Sequence, residues 1–179
     1  MTTGAAATTR ILIWHVSPEL KGKLMSITLP QDVIDLLNDR DTIKVLATVN
    51  DKGEPHAVFK QSLHVGEDGL IHSLELIETS RTAKNLVGSI WFERKLSILL
   101  RGTDNRAVQI KGRVHQYHVS GALFQHHYLA ARERLGDVDL AGVWVIEPEE
   151  VIEQGFQSRR STEEAQHPSF IHLDRIAAH

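Results

Sequence analysis

The 179-residue chain contains no cysteine. That excludes disulfides, thiolate metal centres, cysteine nucleophiles and haem attached through cysteine, and it fits a reducing compartment. Aromatic residues are scarce at 6%, and only five prolines occur. No run of about 18 apolar residues is present, so no membrane span is expected. Ile11-Leu12-Ile13-Trp14 is too short for the apolar stretch of a secretion signal and is soon followed by His15, Glu19 and Lys21. A cytoplasmic protein is the expectation. A basic stripe is missing too: the formal net charge is -3 and the pI about 6.4, so nucleic acid is not an expected partner. The chain also lacks a GxSxG nucleophile turn, a GxGxxG dinucleotide loop, a P-loop and an internal repeat.

Histidine, by contrast, occurs eleven times. His126-His127 are neighbours on a helix and point in different directions, while His115 and His118, three apart on a strand, fall on opposite faces. No HExxH pair occurs, and no metal site is expected from these spacings.

Hydrophobic residues at 41% and charged residues at 24% describe an ordinary globular chain, long enough for one domain with a sizeable core. Residues 1–27 read as a poorly patterned N-terminal arm, 28–156 as the folded domain and 157–179 as a polar tail. Pro30 opens a short helix whose apolar face is Val33, Ile34, Leu36 and Leu37. The pattern then turns to strands. Ile43 to Val49 is rich in β-branched residues and stops at Asn50-Asp51-Lys52-Gly53; His56 to Val65 is closed by Gly66-Glu67-Asp68-Gly69; Leu70 to Leu76 follows, completing a predicted antiparallel meander. A short helix is predicted over 83–87, ending at Gly88, then strands over 95–100 and 107–117, and a helix capped by Ser120 and stopped by Gly136. Ala141 to Ile146 is a strand broken by Pro148, with Val151 to Phe156 as a further candidate. The tally predicts a mainly β domain with helical additions, a six-stranded antiparallel barrel in which closure protects the edges.

Three segments carry chemistry. Thr79-Ser80-Arg81-Thr82-Ala83-Lys84 places a capping serine and two cations at a helix start, where unpaired amides and the helix dipole suit a phosphate. An ordinary cap flanked by solvated basic residues would look the same. Pro55-His56-Ala57-Val58-Phe59-Lys60 is a strand in which alternation groups His56, Val58 and Lys60. Arg106-Ala107-Val108-Gln109-Ile110-Lys111-Gly112 groups Gln109 with Lys111.

In this order and spacing, with Val45-Leu46-Ala47-Thr48-Val49 and Gly53-Glu54-Pro55-His56 ahead of them, these segments resemble the FMN-binding split-barrel family related to pyridoxamine 5′-phosphate oxidase, especially its short bacterial members. The resemblance spans about residues 28–156. It implies a homodimer with FMN at the subunit interface: Ser80, Arg81 and Lys84 on the phosphate, His56, Val58, Phe59 and Lys60 beside the ring and ribityl chain, and Gln109 reaching the ring. It further implies a flavin-dependent oxidoreductase taking electrons from a nicotinamide or a small-molecule substrate, with His56 as the best candidate for proton transfer. The alternative is a non-catalytic carrier of flavin, deazaflavin or haem. The sequence departs from the family at Leu74-Glu75-Leu76-Ile77, where a hydroxyl residue is common near the phosphate. Glu78 brings a carboxylate close to the proposed anion site, and Ala107 stands where the vitamin oxidase often has glutamine. Oxidation of pyridoxamine phosphate is therefore not expected.

Overall fold

The computed structural model describes residues 27–167. The expected N-terminal arm thus lies outside the described residues except for Ile27. The chain runs α1 (Gln31–Asn38), β1 (Ile43–Val49), β2 (Pro55–Phe59), β3 (His64–Val65), β4 (Ile71–Glu75), α2 (Arg81–Phe92), β5 (Leu96–Arg101), β6 (Ala107–His118), α3 (Gly121–Leu135), β7 (Gly142–Glu153) and α4 (Phe156–Gln166).

Seven strands form one antiparallel sheet in the order β2-β1-β5-β6-β7-β4-β3. Six were expected. The extra one arises because the stretch from His56 to Val65 is not one strand: β2 pairs with β1, whereas β3 pairs with β4 at the opposite edge of the sheet. The predicted meander is therefore two hairpins joined by a crossing. Laid flat, seven strands would span roughly 29 Å at about 4.8 Å per spacing. Only residues 60–63 separate β2 from β3, and five Cα steps reach no further than about 18 Å. The sheet must curl until its edges face each other. Side chains close the seam: Ser62 Oγ donates to the Leu74 carbonyl and accepts from the Leu74 amide, at 3.3 and 3.1 Å. Lys44 Nζ donates to the carbonyls of Leu37 and Leu63. Lys60 pairs with Glu75 at 3.2 Å.

The barrel interior is filled by alternate residues of the strands, among them Leu46, Ile71, Ile98, Ile110, Val108, Trp144 and Ile146, all fully buried. Helix α1 plugs one end with Val33 and Leu37, and α2 adds Ala83 and Leu86. A second cluster lies outside the barrel, where Leu74 and Val143 meet Leu123, Phe124 and Tyr128 of α3. Arg106 ties the β5–β6 turn to α1 and to the end of β7, bonding Asp32 at 2.6 Å and approaching Glu153 at 3.5 Å. Its hydrogen bond to Asp32 is what chiefly holds that carboxyl below the usual range.

Three further expectations are corrected. Helix α2 does not stop at Gly88 but continues to Phe92 and ends at Glu93, whose φ of 51° supplies the left-handed stop. Pro148 does not break the last strand. β7 runs on to Glu153 because the β6–β7 register shifts between Lys111 and Gly112, leaving Glu149 as an extra residue, and a proline is tolerated at such a bulge. Residues 156–166, expected within or beside a polar tail, form α4, none of whose residues is buried.

Candidate functional site

The start of α2 is built as its sequence suggests. Ser80 is the N-cap, and its Oγ accepts from the Ala83 amide at 2.9 Å. One helical turn then sets Arg81 and Lys84 on the same side. The helix is held against the barrel by Leu86 and by Asn85, whose Nδ2 donates to Thr48 Oγ1 at 3.0 Å in a buried contact. Thr82 Oγ1 lies 3.4 Å from His56 Nε2, linking the helix to edge strand β2.

Between them is an open groove of about 500 Å³ lined by residues including His56, Arg81, Lys84, Asn85 and Phe92. Among the described residues neither Arg81 nor Lys84 is engaged in an ion pair. Asp51 and Glu54 also border the groove, the latter turned to Asn50 Nδ2 at 2.7 Å. Glu78, the carboxylate close in sequence, is exposed and does not line it. Trp91 and Phe92, in the last turn of α2, are exposed at 77% and 67%. Phe92 forms part of the groove wall, with the Arg94 guanidinium 4.8 Å from its ring centre.

The expected residues divide into four places. His56, Arg81 and Lys84 line the groove, while Ser80 caps the helix beside it without lining it. Val58 points inward and packs on the core. Lys60 turns away to the barrel seam and pairs with the buried Glu75. Phe59 and Gln109 lie on the outer face of the sheet, in one cross-strand row: Phe59 is opposite Val45, Val45 opposite Leu99, and Leu99 opposite Gln109. Phe59 is 77% exposed and Leu99 43%. Gln109 donates to Ser97 Oγ at 2.8 Å and accepts from Gln154 at 2.9 Å. One protomer therefore does not bring Gln109 to the groove.

A second pocket, of about 710 Å³, shares no lining residue with the first. Its walls include Phe59, Leu76 and Ile77, its charged groups Lys60, Glu75 and Arg134, and one end is formed by His64 and His127. Here the structure brings together three histidines that the spacings in the sequence do not associate. His64 and His72 are directly opposed in the β3–β4 ladder, so both rings stand on the same face, and His127 comes down on them from α3. One ring nitrogen from each lies within 4.8 Å of the others. His72 Nδ1 is 3.2 Å from His127 Nε2, and His72 Nε2 is 3.1 Å from Asp68 Oδ2. Burial, reinforced by the neighbouring imidazoles, pushes His127 down to about 4, so this ring is neutral at pH 7. Burial lowers His64 as well. Partial burial would lift the Asp68 carboxyl, but the Leu70 amide and His72 together outweigh it and hold the group low. The one signal in the sequence was the pairing of His64 with His72 across the Gly66–Gly69 turn, which becomes readable only once the short β3 strand is recognised.

No protein-family model matches the chain, and no curated protein matches it in sequence. Solved structures do. An FMN-binding protein from Syntrophomonas wolfei is similar with a TM-score of 0.59 at 16% identity, covering 69% of this chain and 84% of that one. HupZ of Group A Streptococcus gives 0.58 at 21% identity, covering 72% and 95%. HutZ, the haem storage protein of Vibrio cholerae, gives 0.53 at 16%, covering 73% and 97%. The chain has the split-barrel fold of the FMN-binding, pyridoxamine 5′-phosphate oxidase-like proteins. Among its described residues no helix is long and apolar enough to cross a membrane.

Proposed function

We propose that the protein is an FMN-binding homodimer of the cytoplasm, acting as a flavin-dependent oxidoreductase. The observation that carries the reading is the convergence of Arg81, Lys84 and His56 on one groove beside the first turn of α2, neither cation being engaged in an ion pair among the described residues. Unpaired cations beside a capped helix start suit a phosphate dianion, because charge-assisted bonds there add to the helix dipole. Asp51 and Glu54 oppose this and confine the phosphate to the Arg81–Lys84 side. A bound flavin would supply the electron transfer; the chain supplies phosphate binding, the Phe92 wall and, at His56, a proton-exchanging group held by Thr82.

The dimer is supported by the outer sheet face. Phe59, Leu99 and Ile43 are large, apolar and exposed on this face. A second copy seated there would cover them and could bring its Gln109 to the ring. Expected for Leu99→Asp is a monomer in light scattering with weakened FMN binding. A dimer of undiminished stability would sink this interface.

The cofactor test uses the purified full chain titrated with FMN and with riboflavin. Arg81→Ala/Lys84→Ala should weaken FMN far more than riboflavin, since only FMN carries the phosphate. Equal losses would show that these residues hold no phosphate. Bleaching of the bound flavin by NADH or NADPH would support the enzyme over a carrier. Haem is the second reading, supported by the likeness to HutZ and by a second pocket that combines apolar walls, cations and histidines. A Soret band on adding haemin, with no response to FMN, would favour it.

A further inference from the structure

We propose that His64, His72 and His127 form a binding site for one divalent transition-metal ion of the zinc class, with a fourth position open to the second pocket. The proposal is independent of the flavin reading. Three imidazoles with no carboxylate among them make a donor set suited to zinc, cobalt, nickel or copper, and unsuited to magnesium or calcium, which take oxygen ligands. Around a tetrahedral ion at about 2.05 Å from each nitrogen, the donors stand about 3.3 Å apart. The His72–His127 separation is already 3.2 Å, and the set as a whole lies within 4.8 Å, so side-chain rotations alone can complete it.

The surrounding groups fix which nitrogens are free. The Asp68 carboxylate can only accept, so His72 Nε2 carries its proton there and Nδ1 keeps its lone pair. The Ser62 carbonyl, 2.8 Å from His64 Nδ1, likewise places that ring's proton on Nδ1 and leaves Nε2 as the donor nitrogen. Carboxylate and carbonyl partners behind metal-bound histidines orient the ring and raise its basicity. The backbone makes room for this arrangement: a Cβ at Gly66 would collide with the His72 ring and crowd Asp68. The histidines sit on a ladder pair and a helix, which hold geometry better than loops do. His64 and His127 reach the pocket while His72 is buried behind them. An ion here would therefore keep one coordination position for water or a small anionic ligand, with Arg134 and Lys60 among the cations of the same pocket.

The test uses the full chain, stripped with a chelator and titrated with Zn²⁺ by calorimetry and with Co²⁺ by visible absorption. Expected is a site, one per chain, that His127→Ala removes and His126→Ala leaves intact; His126 is the exposed neighbour on the same helix. Intense Co²⁺ bands of a four- or five-coordinate ion should appear in the wild type and vanish in His127→Ala. Asp68→Asn should weaken Zn²⁺ ten- to a hundredfold while leaving the stoichiometry unchanged. Gly66→Ala, which displaces the ring without removing a donor, should also weaken it. Equal Zn²⁺ binding by the wild type and His127→Ala would overturn the proposal, as would equal losses in His126→Ala and His127→Ala. Should His127→Ala fail to fold, His64→Gln serves in its place. The wild type's own melting temperature decides independently: it should rise saturably with Zn²⁺ and not with Mg²⁺, and no rise would refute the site.

Discussion

The α2 groove and the histidine pocket differ in how their residues are assembled. The groove draws on two short stretches, residues 50–56 and 81–94, and its cations are a single helical turn apart. The pocket draws its three rings from β3, β4 and α3, with His72 and His127 55 positions apart in the chain. The first presents its cations at an open surface, whereas two of the three rings of the second, His72 and His127, are buried. A site made by the start of one helix is written in consecutive letters, because capping and one-turn spacing are local rules. A site made by packing a helix on a hairpin exists only after the fold does.

The largest effect should come from crossing the two sites. Each charge-assisted contact contributes about 1.5–3 kcal/mol, so Arg81→Ala/Lys84→Ala should cost FMN at least about a hundredfold in affinity. The same double variant should bind Zn²⁺ like the wild type. His127→Ala should do the reverse, losing Zn²⁺ and keeping FMN. Fluorescence titration with FMN and calorimetry with Zn²⁺ on both variants give the four numbers. Loss of both ligands in either variant would mean that the two regions are one site or one folding unit, and the contrast would fail.

Much of the barrel was legible for the same local reasons. The β-branched run predicts Ile43–Val49 with the ends the strand has, and the turns at Gly53 and Gly69 do require glycine, with φ of 79° and 75°. The Ser80 cap follows from its position after a strand. What was hidden depended on tertiary pairing. Nothing within residues 56–65 announces that Lys60 leaves one strand pair to reach Glu75 on another, because the seam exists only in the closed sheet. Pro148 suggested a break because a proline removes a ladder donor, and only the bulge opposite Gly112 explains why the strand survives it. Gly88 suggested a helix end by propensity, which the packing of Leu86 against the barrel outweighs. His115 and His118 are a near pair in the sequence, yet His115 is itself the extra residue of a second β6 irregularity.

A smaller effect tests whether the bulge supports both regions equally. At Gly112 a Cβ would run into the Glu147 carbonyl, a backbone atom that cannot swing aside. Gly112→Ala should therefore destabilise the fold by about 1–3 kcal/mol in urea denaturation. Under folding conditions, FMN and Zn²⁺ affinities should both stay within a few-fold of wild type. Selective loss of one ligand would show that β6 strain reaches that site alone, and would sharpen the contrast between them.

The smallest effect separates the cap from the cations. Ser80→Ala removes the acceptor of the Ala83 amide, which typically costs about 1 kcal/mol of stability. For a chain of this length that corresponds to a fall of roughly 2–4 °C in melting temperature. A phosphate at the helix start can itself accept from the freed amide, so the fall should be smaller with FMN bound than without it. FMN affinity should drop less than tenfold, well short of the Arg81→Ala/Lys84→Ala loss, because the serine is neutral and its oxygen is already committed to the helix. Zn²⁺ affinity should not move. Parallel melts with and without FMN decide the point: an equal fall in both would place the phosphate away from the α2 N-terminus, leaving Arg81 and Lys84 as surface cations beside an ordinary cap.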